Sequence, residues 1–313
     1  MAVTVRDRFQ GCLIGLAAGD ALGTTLEFAK PGSFLPIDDM VGGGPFSLKA
    51  GEWTDDTSMA LCLAESLIEC EGFDPRDQME RYARWMDAGY LSSNGRCFDI
   101  GRTTCNALKD FQRTGEPYSG STDSNSQANG SMMRLAPVPM FYFEKPLEAI
   151  EKSGDSSRTT HAHPVCVDAC RYLAALIIAA LKGFSKEEII VSSPPAVPEM
   201  YWQEQPLSEE IVVVASGSFK EKVKDEIMGV GYAPKSLEAA LWAFYHSTCF
   251  KDGALMAVNL GDDADTTGAI YGQIAGAYYG VESIPSQWRE KIVLIDRMKD
   301  YADKLLEFAG KII

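Results

Sequence analysis

Asn259-Leu260-Gly261-Asp262-Asp263-Ala264-Asp265-Thr266-Thr267-Gly268-Ala269-Ile270-Tyr271-Gly272-Gln273-Ile274-Ala275-Gly276-Ala277-Tyr278-Tyr279-Gly280 joins an acidic, hydroxyl-rich cluster to a run of apolar and small residues. The spacing predicts a helix over Asp265–Tyr279, with the cluster Gly261–Gly268 at its start. A second cluster, Trp53-Thr54-Asp55-Asp56-Thr57, precedes a stretch that is apolar at Met59, Leu61, Leu63, Leu67 and Ile68, which predicts a helix over Asp56–Cys70. Carboxylates at a helix start gain from the helix dipole and project off its first turn. Neither cluster contains His or Cys, and oxygen-only donors suit Mg, Mn or Ca better than zinc. Two readings follow. The clusters meet and hold one or two divalent ions, or they are ordinary helix caps.

Helical periodicity extends along the chain. Arg8–Gly23 reads as a helix rich in Gly11, Gly15, Ala17, Ala18 and Gly19, whose small side chains permit close packing against a neighbour. Further helices are predicted over Asp77–Ala88, Gly101–Arg113, Gly130–Phe141, Pro164–Lys182, Ser236–Phe250 and Trp288–Ala309. Alternating strand patterns are scarce. Ile211–Ala215 is the one short β-branched run, and it is compatible with helix. The expectation is therefore an all-α fold, one compact multi-helix domain over residues 1–313, with irregular excursions at Pro31–Trp53 and Ser192–Pro206.

Composition narrows the function classes. Hydrophobic residues make up 46% of the 313, enough for a sizeable core. A formal net charge of -15 argues against a nucleic-acid partner, because no broad basic face is available. The eight cysteines include several within apolar helical stretches, as expected of buried thiols in a reducing compartment. Cys166 and Cys170, with His161 and His163 nearby, raise a zinc alternative, but no second pair at zinc-ligand spacing accompanies them. Met1–Arg8 lacks the apolar run of a signal peptide, and the apolar window Leu173–Leu181 is too short to span a bilayer. A cytoplasmic protein with no membrane partner is expected.

Polar residues concentrate in segments that a core does not explain. In order they are GDALG (19–23) with Glu27, WTDDT (53–57), CFDIG (97–101), NGSMMR (129–134), THAHP (160–164), SLEAALWAF (236–244) and the stretch quoted first. Together these motifs resemble the ADP-ribosylglycohydrolase family, and most closely its bacterial branch, the dinitrogenase-reductase-activating glycohydrolases. The resemblance spans about residues 8 to 280.

The resemblance implies a compact all-α fold with two Mg or Mn ions in a central cleft. It implies an enzyme that removes ADP-ribose from a modified side chain of a protein. By position, the metal ligands would be Thr54, Asp55, Asp56, Asp263, Asp265 and Thr266. Glu27, Asp56 and Asp99 would be catalytic, with Glu27 acting as base, gate or water-positioner. Phe98, Asp99, Gly101, Asn129, Gly130, Ser131 and His161 would bind substrate. Asn129-Gly130-Ser131 would open a helix whose free N–H groups suit a diphosphate. Asp20 would fix the turn after the first helix or support the ligands. His163 is a weaker candidate, and His246 reads as structural.

Asp99 decides the expected linkage. A carboxylate is the natural partner of a guanidinium, which favours arginine-linked ADP-ribose. The competing role for Asp99 is to cap the helix that starts at Gly101. Serine-linked or small-molecule ADP-ribose derivatives, and a non-catalytic ADP-ribose-binding protein, are the alternatives. The segment Lys222–Ile227 departs from the pattern of close relatives and bears on the protein substrate.

Overall fold

A computed structural model describes residues 3–311. Their order is α1 (Val5–Gly23), α2 (Asp55–Glu69), α3 (Pro75–Ala88), α4 (Arg102–Thr114), α5 (Pro137–Phe141), α6 (Pro146–Arg158), α7 (Pro164–Leu181), α8 (Lys186–Ile189), α9 (Glu199–Glu204), α10 (Glu209–Ala215), α11 (Ala233–His246), α12 (Phe250–Val258), α13 (Ala264–Tyr279), α14 (Ser286–Arg289) and α15 (Ile295–Lys311). No strand forms among the described residues, only isolated bridges such as Ser121 with His161. The all-α expectation holds.

The pair α1 and α13 organises the rest. Gly11, Gly15, Gly19 and Gly23 recur every fourth residue on α1, and Gly268, Gly272 and Gly276 do so on α13. A Cβ at Gly15 would lie 2.3 Å from the Gly272 carbonyl oxygen, and one at Gly19 would lie 1.9 Å from that of Gly268. The backbones therefore touch, which only glycine permits. Gly11 meets Gly276 while Gly23 meets Ala264, so the helices run antiparallel. The C-terminal end of α1, with Asp20, is thereby fixed beside the start of α13, with Asp263 and Asp265.

Helix α7 is the central core element, with every residue from Val165 to Leu181 buried. Its length and mean hydropathy of 1.8 would suffice for a membrane span, but 89% of it is covered by the protein's own side chains. Its polar members are satisfied locally, as in the 2.7 Å pair between Arg171 and Asp168.

Three predicted helices are interrupted. Over Gly130–Phe141 the chain makes a turn first, and helix begins only at Pro137. Pro137 and Pro139 lack the N–H groups that would bond the Met133 and Leu135 carbonyls in a continuous helix. Ser236–Phe250 ends early, at His246, and α12 restarts with the Cys249 thiol accepting from the Asp252 N–H. Trp288–Ala309 breaks where Val293 N–H donates to the Gly51 carbonyl and Leu294 turns to a φ of 59°. Ile211–Ala215 is helical, within α10. Helix α6 follows Pro146 and was not anticipated.

Candidate active site

The two acidic clusters do converge. Asp20, buried on α1, accepts from the Thr54 N–H (2.8 Å), the Thr54 hydroxyl (3.0 Å), the Thr57 N–H (3.0 Å) and the Thr57 hydroxyl (2.6 Å). A carboxylate from another helix thus caps α2, while the Thr54 side chain does not cap its own helix. Nor does Asp263 cap α13 through its side chain. Neither Thr54 nor Asp263 thus caps its own helix through its side chain, although Asp265 Oδ1 accepts from the Thr266 N–H in the first turn of α13 (2.8 Å), and Asp20 braces the start of α2.

The Glu27 segment is clamped to the second cluster. Phe28 N–H donates to the Asp262 carbonyl (2.7 Å), and Asp262 N–H donates to that of Ala29 (2.8 Å). Phe28 and Asp262 adopt positive φ angles of 59° and 56° to make this pairing. Such backbone is uncommon outside glycine and costs on the order of 1 kcal/mol each. Glu27 is consequently buried beside Asp99, not an exposed loop carboxylate. Asp99 itself has a φ of 60°, and α4 begins at Arg102 with Gly101 as its N-cap and no side-chain cap. Capping is therefore not what Asp99 does.

Thr54 tests whether a cation fits. Its hydroxyl lies 3.0 Å from an Asp20 oxygen, 3.1 Å from Asp56 Oδ2 and 3.2 Å from Asp265 Oδ2. One hydroxyl hydrogen cannot satisfy three carboxylates. Asp56 Oδ1 and Glu27 Oε2 are buried without any hydrogen-bond partner. Burial, and then the neighbouring acids, push Glu27, Asp55, Asp56 and Asp265 above the usual carboxylate range. Acidic oxygens of Asp20, Asp56 and Asp265 gather within 4.8 Å of one another, as do those of Glu27, Asp99 and Asp265. Crowded, partnerless oxygens are what a hard cation would satisfy. Asp265 belongs to both groups. Asp20 spends its two oxygens on four donors, which makes it a brace for Thr54.

The cleft above these acids has a volume of about 270 Å³. Of the sequence-derived candidates, Glu27, Asp55, Asp99, Gly101, Asn129, Gly130, His161, Asp263, Asp265 and Thr266 line it. Thr54 and Asp56 lie fully buried at its base. Asn129 reaches across to donate to Asp263 Oδ2 (2.6 Å), tying the two halves of the cleft together. The 129–134 turn closes through Met132 and Met133 N–H groups bonding the Asn129 carbonyl, a pattern that leaves out the Gly130 and Ser131 N–H groups.

Two candidates move away from the cleft. The Ser131 side chain is directed inward, its hydroxyl bonded to Ser157 Oγ (2.8 Å) and the Cys170 thiol (3.4 Å). The Ser131 N–H, the group expected to meet the diphosphate, is left out of the turn's backbone bonds. Phe98 is absent from the lining and packs on Phe46 at 5.2 Å, which in turn meets Phe28 at 6.4 Å. Sequence reasoning missed Phe28, Ile100, Arg102, Thr103, Thr104, Ala128 and Met133, which also line the cleft. Their proximity to Glu27, Gly101 and Asn129 in sequence was the available signal.

His161 is buried with Nδ1 2.8 Å from the Thr160 hydroxyl. Burial, reinforced by the positive Arg134, pushes its pKa down to about 3, so the imidazole is neutral. Its Cε1–Nε2 edge faces Gly130, where a Cβ would approach to 2.9 Å. His163 caps α7 through Nδ1, accepting from the Val165 N–H (3.3 Å). The thiols of Cys166 and Cys170 donate to the Ala128 carbonyl and the Ser131 hydroxyl, and burial raises both pKa values.

A family model described as ADP-ribosylglycohydrolase matches residues 1–311. The "ADP-ribosylarginine hydrolase Tri1" of Serratia proteamaculans is 43% identical over 97% of this chain and 80% of its own length, and the Pseudomonas putida protein of the same name is also 43% identical, over 98% and 80%. The ADP-ribosyl-dinitrogen reductase glycohydrolase of Rhodospirillum rubrum is 30% identical over 98% of both chains. A solved structure described as an "ADP-ribosylglycohydrolase-related protein complex" superposes with a TM-score of 0.85, at 41% identity, covering 97% of this chain and 99% of that one.

Proposed function

The chain belongs to the ADP-ribosylglycohydrolase family, and from that membership and the chemistry of the cleft we propose that it hydrolyses the bond between ADP-ribose and arginine on a modified protein. The observation that carries the linkage is Asp99 beside Glu27 in a buried acidic cleft, in a chain 43% identical to two proteins named for ADP-ribosylarginine hydrolysis.

Thr54, Asp55, Asp56, Asp263, Asp265 and Thr266 would hold two divalent cations, Mg or Mn, with Asp20 and Asn129 fixing their orientation. Bound there, the ions would supply Lewis acidity and a water of lowered pKa. The protein's own groups do the rest. Cleavage builds positive charge on the ribose, which an anionic cleft favours. Asp99 receives the guanidinium and stabilises it as the leaving group departs. Glu27, held buried by the Phe28–Asp262 clamp, orients the attacking water and takes its proton, which balances the proton that the departing guanidine nitrogen takes up to leave as the guanidinium held by Asp99. His161 and the N–H groups of Gly130 and of the α4 start face the diphosphate. The products are free ADP-ribose and an unmodified arginine, and the reading places this chemistry in the cytoplasm.

Asp99→Asn tests the linkage. The variant should bind ADP-ribose as the native enzyme does, because the product lacks the guanidinium. Release from an ADP-ribosylated arginine protein should slow by the loss of a desolvated charge partner, about 2–5 kcal/mol. Single-turnover rates for arginine- and serine-linked substrates measure this. Equal rates for variant and native enzyme, or a native preference for serine linkages, would overturn the assignment.

A further inference from the structure

Arg134 is fully buried, and its hydrogen-bond partners are all neutral. Its guanidinium stacks over the Tyr82 ring at 4.5 Å and donates to the Thr160 hydroxyl at 2.7 Å. That hydroxyl sits 2.8 Å from His161 Nδ1. Thr160 is itself fully buried, and these are its two side-chain contacts. The role of this buried cation in the reaction is otherwise unaccounted for.

The directions of these bonds are forced. A guanidinium only donates, so Thr160 Oγ1 accepts from Arg134. The threonine hydrogen then needs an acceptor, and His161 Nδ1 is the one within reach. The opposite arrangement, with Nδ1–H donating to Thr160, would strand the hydroxyl hydrogen in the core, and buried donors are rarely left so. The neutral state of His161 makes the choice of tautomer matter, since only one nitrogen carries hydrogen.

We propose that Arg134 and Thr160 are positioning residues that lock His161 with Nδ1 bare and Nε2–H turned toward the cleft beside Gly130. His161 is thereby a fixed donor, suited to a diphosphate oxygen; that use of the donor rests on the function proposed above, whereas the tautomer does not. Arg134 also places a positive charge behind the donor. An anionic ligand meets a polarised N–H without a histidine that must gain a proton first.

The chain has three histidines, so the imidazole nitrogens can be assigned one by one. Long-range 1H–15N correlation spectra of histidine-labelled enzyme at pH 7.5 report which nitrogen carries hydrogen, and His161→Gln identifies the signal. The native enzyme should show His161 protonated at Nε2 alone. Thr160→Val, which keeps the shape and removes the hydroxyl, should give a mixture of tautomers and weaken ADP-ribose binding by about 10-fold, the worth of one hydrogen bond to an anion. Thr160→Ser should restore both, and Arg134→Met should mix the tautomers as Thr160→Val does. An Nδ1–H tautomer in the native enzyme overturns the proposal without recourse to any variant, as does an unmixed Nε2–H tautomer in Thr160→Val. Mixed tautomers with unchanged ADP-ribose affinity would support the lock and remove the diphosphate contact instead.

Discussion

The two halves of the cleft are built on opposite principles. On one side stand Asp20, Glu27, Asp55, Asp56, Asp99, Asp263 and Asp265; burial pushes all seven pKa values up, and for Glu27, Asp55, Asp56 and Asp265 the charges of neighbouring acids add to it. On the other stand Arg134, Thr160 and His161, a short chain that runs from guanidinium to hydroxyl to imidazole and whose net charge is positive. The first half has buried oxygens with no partner and requires cations from outside. The second carries its own cation and needs an anion. A ligand with a diphosphate at one end and a guanidinium-bearing ribose at the other matches both demands, and Asn129 joins the halves through Asp263.

The largest effect should come from relieving the acidic side. Asp265→Asn removes one charge shared by both acidic groups, nearly without change of volume. Turnover should fall by at least about 100-fold, beyond the range typical for groups that merely support a metal ligand. Stability should move the other way in chelator, because less like charge is crowded together. Scanning calorimetry with chelator and with added Mg would show the variant melting above the native protein in the first condition and below it in the second. A metal-free variant that melts lower would break the picture of unrelieved repulsion.

A smaller effect is expected where the halves are assembled. Gly19→Ala places a methyl 1.9 Å from the Gly268 carbonyl oxygen, which the paired helices can meet only by separating. Overpacking of this kind typically costs about 1–3 kcal/mol. Urea unfolding should register that loss, and Mg affinity should decline with it, since Asp20 and Asp265 ride on the separated helices. Unchanged Mg affinity would mean that the helix contact does not set the spacing of the acids.

The smallest effect concerns the other half. His161 is held neutral in the folded protein, with a pKa near 3 against an ordinary 6.5, because burial and Arg134 disfavour its charged form. The unfolded chain therefore binds the extra proton first. Stability from this group is complete above about pH 6.5 and drains away as pH falls toward 3. His161→Gln does not titrate, so its unfolding free energy should fall less steeply than the native protein's across that window. Parallel curves would contradict a neutral, buried His161.

How far the sequence could be read depended on range. Long apolar stretches in α1, α2, α7 and α13 identified those helices, because burial, on every side in the case of α7, leaves a local trace in composition. The glycine ladder of α1 was visible, but its partner 250 residues away was not, since spacing says nothing about which backbones touch. Donor chemistry identified the two acidic clusters as metal candidates and left open whether they meet, whereas the ligand set came with the family resemblance. A turn at 129–134 stands where a helix start was expected, because Pro137 and Pro139 cannot supply the N–H groups of a continuous helix. Phe28 escaped notice because its place at the cleft depends on a backbone clamp to Asp262. Arg134 was quoted inside a motif without a role, since a buried arginine acquires meaning only from what surrounds it.

The central claim is that the acidic half works through divalent cations that the protein itself cannot replace. Its most direct test is single-turnover release of ADP-ribose from an ADP-ribosylated arginine protein by extensively chelated enzyme, before and after adding Mg or Mn. The account predicts no release from the chelated native enzyme, recovery on adding either metal, and no recovery in Asp265→Asn. Release at the full native rate from the chelated enzyme would contradict it.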